Sequence, residues 1–188
     1  MFNMRVVGLA CVMALALGLM AGCNMYETDK ANKLVDAANV SIKDANDKGQ
    51  NCPTRVEQMD DAATKAEDEE GMAKVREQAK AIIADLEKAR DGYTDAGNKF
   101  LEASKLKLQD KFKEYLDAKG QEMKKRGEMC AALIGVPQAL IDSNTAEAYH
   151  QKSGAVVTKY QGLQKEADDL EAKASKIYKE NEAMFKKS

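Results

Sequence analysis

From position 149 onward the chain repeats with a period that only a packed helix uses. Tyr149, Ser153, Val156, Tyr160, Leu163, Ala167, Leu170, Ala174, Ile177, Asn181 and Met184 alternate by four and three over 35 residues. A mean spacing of 3.5 keeps one stripe turned toward a partner helix, its side chains packing as knobs into holes. A strand repeats every two residues and cannot carry this pattern. Small Ala167 and Ala174 in the stripe permit close approach of the partner. Asn181 either fixes the register or marks the point where the helix frays.

The segments before it obey the same rule. Trp is absent and there are only two prolines, Pro53 and Pro137, in a chain rich in Ala, Glu, Lys, Asp and Leu. That usage favours long helices, and no alternating strand pattern competes with them. A first helix is predicted over 28–47, with Ala31, Leu34, Val35, Ala38, Ile42 and Ala45 on one face. Lys48-Gly49-Gln50-Asn51-Cys52-Pro53 ends it. Thr54 and Glu57 form a capping box for a second helix, carried by Val56, Met59, Ala63 and Ala66. Residues 68–71 are a weak spot, after which Val75, Ala79, Ile82 and Leu86 resume the stripe. Residues 91–97 hold Gly92 and Gly97, each costing ~1 kcal/mol inside a helix. They read as a turn, although Tyr93 and Phe100 continue the spacing and a single bent helix also fits. A third helix follows through Leu101, Leu108, Phe112, Tyr115, Leu116 and Met123 to Met129. An uncharged connector occupies 131–141, and Asn144 with Glu147 opens the last helix. The expected fold is therefore all-α, an antiparallel bundle or coiled-coil hairpin of three to four long helices, preferably up-down-up-down.

The N-terminus has a different character. Arg5 precedes an apolar run over 6–21 that ends Met20-Ala21-Gly22-Cys23. A basic residue, a short apolar core and small residues before a cut site make a secretory signal peptide. The run is shorter than the ~20 residues that span a bilayer. With a cysteine after the small pair, the stretch resembles a bacterial lipoprotein lipobox, Met20 standing where Leu is usual. The resemblance implies removal of 1–22 and diacylglyceryl and palmitate-type acylation at Cys23. Residues 23–27 become a short tether and 28–188 the bundle. Membrane attachment through the lipid follows, since two acyl chains give stable anchoring. Asn24, by the sorting rule of enteric-type lipoproteins, implies the outer membrane facing the periplasm. The murein lipoprotein is a natural comparison, but its terminal Lys is not matched by Phe185-Lys186-Lys187-Ser188.

Cys52 and Cys130 then lie outside the cytoplasm, where disulfides persist, and a bridge between them is expected. Residue 91 is midway between them. A reversal there would bring the two cysteines together at the open end of a hairpin. One helix over 54–129 would hold its ends about 110 Å apart, far beyond the ~7 Å a bridge allows. The bridge would close a loop of about 80 residues and contribute about 4 kcal/mol in the chain-entropy account. One mismatch stands against this layout: the first helix would be about 30 Å long and the second nearly 55 Å. Tilting, partial pairing or an early reversal near Gly71 would each relieve it.

Little in the chain suggests chemistry. Twenty-nine basic side chains against 31 acidic ones give a formal net charge of −2, without the basic face that nucleic-acid binding needs. His150 is the only histidine, so neither a catalytic triad nor a zinc cluster presents itself. Met123, Met129 and Cys130 at helical spacing read as core filling rather than a soft-metal site. Asp60, Asp61 and 67–70 read as a solvated face without the punctuated loop of a calcium site. No metal, cofactor or enzymatic activity is expected. Leu133, Ile134, Val136, Leu140 and Ile141 in the connector either plug the bundle end or form an apolar tip that contacts an envelope protein. The expected role is a non-enzymatic spacer or protein-interaction lipoprotein. The alternative is a carrier or sensor holding a small apolar ligand near Phe112, Tyr115, Tyr149 and Tyr160. Oligomeric state is not readable from the sequence.

Overall fold

The computed structural model describes residues 27–66, 68–143 and 145–186; the lipobox, Cys23 and Asn144 lie outside them. The helices are α1 (Thr28–Gly49), α2 (Cys52–Lys65), α3 (Glu69–Ser104), α4 (Asp110–Leu133), α5 (Gly135–Ile141), α6 (Ala146–Glu180) and α7 (Glu182–Lys186). No strand occurs among the described residues. Among the described residues these helices make four rods: α1 with α2, α3 alone, α4 with α5, and α6 with α7.

Cross-rod contacts fix the directions. Asn46 meets Tyr93, and Arg55 meets Asp85, so α3 runs antiparallel to α1 and α2. Gly97 faces Gly120, and Gly127 faces Thr94, which sets α4 antiparallel to α3. Lys125 pairs with Glu166 and Tyr115 packs on Tyr178, which sets α6 antiparallel to α4. The result is an up-down-up-down all-α bundle around one core.

The reversals are not all where the sequence suggested. The chain does not turn at 91–97; α3 passes through it as 36 unbroken residues, about 54 Å of helix. The glycines serve packing instead. A Cβ on Gly92 would lie 3.0 Å from the Ser41 carbonyl oxygen of α1 and the Ala45 Cβ, and one on Gly97 would lie 2.9 Å from the Gly120 carbonyl of α4. The real reversal comes early, between α2 and α3, where the Asp68 side chain accepts from the Gly71 N–H at 2.7 Å and caps α3. This removes the mismatch in helix length, because α1 and α2 together match α3.

The first rod breaks at Gln50 and Asn51. Pro53, in the first turn of α2, has no N–H to continue the ladder from Gly49. Helix α2 therefore starts at Cys52, and the expected capping box of Thr54 and Glu57 is not formed: the N-cap is Asn51, without a side-chain bond. The expected connector over 131–141 is likewise helical. Ile134 keeps right-handed helical angles between α4 and α5, and Pro137 leaves the Leu133 carbonyl without its usual donor, which accounts for the interruption. Thr145 caps α6 by accepting from the Ala148 N–H at 3.2 Å. Its stripe packs as expected: Tyr149, Ser153, Tyr160, Leu163, Ala167, Ala174 and Ile177 are buried. Asn181 ends α6, its amide donating to the Ile177 carbonyl at 2.8 Å.

At the end where α1 begins, the chain is clasped to the α3–α4 turn. The Glu27 N–H donates to the Lys107 carbonyl at 2.9 Å, and the Lys107 N–H donates to Glu27 Oε2 at 3.0 Å. Leu106 and Leu108 turn inward while Lys105 and Lys107 stay exposed.

Candidate functional site

The most unusual chemistry of the molecule lies inside α4. Glu122 has no solvent exposure and Arg126 only 6 %. Burying such charges is costly unless each is paired. Here both are. Arg126 Nε donates to Glu122 Oε1 at 2.9 Å, and Lys119 Nζ donates to Glu122 Oε2 at 2.6 Å. Arg126 Nη2 reaches across to Glu171 Oε2 on α6 at 3.0 Å. Burial works against the Arg126 charge, but Glu122 and Glu171 outweigh it and hold its pKa above the ordinary value. The guanidinium therefore remains charged.

This network borders a small interior space of about 20 Å³, lined by Gly49, Pro53, Leu86, Tyr93, Arg126 and Cys130 among others. That is room for about one water. Burial raises the Tyr93 hydroxyl above its usual range and pushes Tyr160 up to about 12, so both stay neutral. Tyr93 Oη donates to Asn46 Oδ1 at 2.5 Å and ties α3 to α1. Mutual pairing occupies the charged groups of the network, and the arrangement orients helices rather than presenting a reactive atom to solvent.

Cys52 and Cys130 both reach this interior level, but the expected bridge is absent. Both are buried free thiols. The Cys52 Sγ–H donates to the Lys48 carbonyl one turn back, at 3.3 Å, so this thiol is engaged along its own rod. Desolvation raises the pKa of Cys52 and pushes Cys130 up to about 12. Neither carries the thiolate needed for exchange at neutral pH. They sit midway along the rods rather than at a bundle end, because the chain reverses between α2 and α3.

The five connector residues do not form an exposed tip. Leu133, Val136 and Leu140 are buried at 1 %, 4 % and 3 % exposure, and Ile134 and Ile141 pack against the same core. Of the two readings of this segment, the plug matches the burial. The aromatic residues expected to border one ligand cavity are spread out instead. Phe112 and Tyr115 cluster with Tyr178 and Phe185 near the clasped end, centroids 5.0 to 6.4 Å apart. Tyr149 lies at the opposite end, near Asp60, its ring tilted at 45° to that of His150 with centroids 5.2 Å apart. Among the described residues no group of three or more His, Cys, Asp or Glu is placed to hold a metal ion. None of the described helices is long and apolar enough to cross a membrane.

Glu122 and Arg126 were not singled out by sequence. At i and i+4 they read as an ordinary exposed pair. The one signal was Gly120 and Gly127 beside the Leu116, Met123, Cys130 stripe, which marks a second buried flank on α4. No protein-family model matches this chain, and neither a curated protein nor a solved structure matches it.

Proposed function

We propose that the chain is a lipid-anchored protein of the bacterial cell envelope, held through Cys23 and acting, without enzymatic activity, as a helical spacer or protein-interaction module. In a Gram-negative cell, Asn24 places it at the outer membrane, facing the periplasm. The observation that carries the reading is the lipobox-like Met20-Ala21-Gly22-Cys23 only four residues ahead of the clasped Glu27. A rigid bundle whose α3 is about 54 Å long then extends from the anchor. The aromatic residues expected to border one ligand cavity are divided between the two ends of the bundle, which favours the spacer over the carrier of an apolar ligand.

The test is the mass of the N-terminal peptide from protein made in a bacterial host. A mature chain beginning at an acylated Cys23 is expected, and Cys23→Ser should release the protein from the membrane fraction. An unmodified Cys23, or retention of residues 1–22, overturns the anchor. Crosslinking in intact cells then identifies the module's neighbours.

A further inference from the structure

We infer that the α3–α4 turn and the start of α4 form a cationic foot that rests on the anionic phospholipid headgroups of the membrane holding Cys23. The inference rests on the lipid-anchor reading above and adds how the bundle meets the bilayer. Residues 105–113 read Lys-Leu-Lys-Leu-Gln-Asp-Lys-Phe-Lys. The leucines and Phe112 are buried, which turns the cations outward. Lys105 and Lys107 are exposed and Lys113 half-buried, and none of the three forms an ion pair among the described residues. Lys111 is paired with Glu114 at 2.7 Å, and Asp110 is the single carboxylate within the segment.

The clasp brings this foot to the anchor. Glu27 is bonded to Lys107 through both its backbone and its carboxylate. From Cys23 to Glu27 there are four chain steps, a reach of at most about 14 Å. Lys105 and Lys107 therefore lie close to the headgroup layer, where the field of anionic lipids acts within a Debye length of ~10 Å. The clasped end also exposes Asp29, Glu102, Glu114 and Glu180, but the opposite end is the more acidic of the two: Asp61, Asp68, Glu69 and Glu70 are exposed there beside Lys65 and Lys74. Lipid chains supply the attachment; the foot sets which end faces the bilayer and how upright the bundle stands.

The full lipidated chain, reconstituted into phosphatidylcholine vesicles with and without phosphatidylglycerol, is exposed to an amine-acetylating reagent and mapped by mass spectrometry. Lys105, Lys107 and Lys113 should react several-fold more slowly on the anionic vesicles, and Lys65 and Lys74 at the far end should not change. Raising the salt should abolish the difference. In a Lys105→Gln/Lys107→Gln/Lys113→Gln variant, Lys111 should lose whatever protection anionic lipid gives it. Equal labelling of the foot on both vesicle types, in protein whose Cys23 is shown to be acylated, overturns the foot and leaves the anchor standing. An unacylated Cys23 overturns both.

Discussion

The two seams of α4 are built on opposite plans. Toward α3 the helices approach closely: a Cβ on Gly97 would meet the Gly120 carbonyl at 2.9 Å, and one on Gly127 would meet the Thr94 side-chain Oγ1 at 2.8 Å and the Arg90 carbonyl at 3.3 Å. Toward α6, beside the small buried Ala167 and Ala174, the seam is held by large side chains and charge, with Tyr115 on Tyr178 and Arg126 on Glu171. A seam closed by absent side chains cannot absorb added atoms, because backbone does not yield. A seam held by paired charges tolerates adjustment at its rim but not the loss of one partner. The first seam should therefore fail on enlargement and the second on truncation.

Truncating the charged seam has the largest expected effect. Arg126→Met leaves Glu122 fully buried with only Lys119 as counter-ion, and removing one partner of a buried pair typically costs ~3–5 kcal/mol. The lower end of that range is expected, since Lys119 remains. Glu122→Met together with Arg126→Met should cost less than Arg126→Met alone, because no buried charge is then left unpaired. Urea unfolding followed by circular dichroism measures both. A neutral Arg126→Met would show that shape alone holds α4 on α6.

Enlarging the glycine seam comes next. Gly97→Ala brings in a methyl 2.9 Å from the Gly120 carbonyl oxygen and 3.1 Å from the Lys124 N. Overpacking costs ~1–3 kcal/mol, against a helix-propensity gain of ~1 kcal/mol. A net loss in melting temperature is expected. A gain would mean that the two helices separate at little cost, and the contrast between the seams would collapse.

That contrast also explains what the sequence could and could not reveal. The stripe of α6 was legible because a helix buried on one side writes its partner's direction into a single period. The turn expected at 91–97 failed for the converse reason. The local cost of Gly92 and Gly97 is visible in the chain, but the reward, close approach to Ser41 on one flank and Gly120 on the other, depends on partners far away in sequence. The same blindness hid Glu122 and Arg126: α4 is wedged between α3 and α6, so a position that one stripe would expose is covered by a second neighbour. Pro53 was read as the close of a loop, whereas it sits in the first turn of α2. The apolar character of 131–141 was plain, but not whether it pointed inward.

A smaller effect tests the other flank of α3. Tyr93→Phe deletes the hydroxyl that bonds Asn46 and should cost about 1 kcal/mol, the net contribution of one such bond. If Tyr93→Phe cost as much as Arg126→Met, the α1–α3 contact would be as dependent on polar pairing as the α4–α6 seam, and glycine approach at Gly92 would count for little.

The smallest expected change has the opposite sign. Gly154 and Gly162 also sit inside a helix, α6, yet a Cβ at either would meet nothing within 4 Å. They take no part in either seam, so only their conformational cost remains. Gly162→Ala should stabilise the bundle by a few tenths to about 1 kcal/mol, visible as a small rise in urea midpoint with an unchanged slope. Placed beside Gly97→Ala, it holds the substitution constant and varies only the surroundings. If both substitutions shifted stability in the same direction, the seam on Gly97 would not be what sets its sign. Opposite shifts would assign the glycines of α3 to packing and those of α6 to no structural role at all.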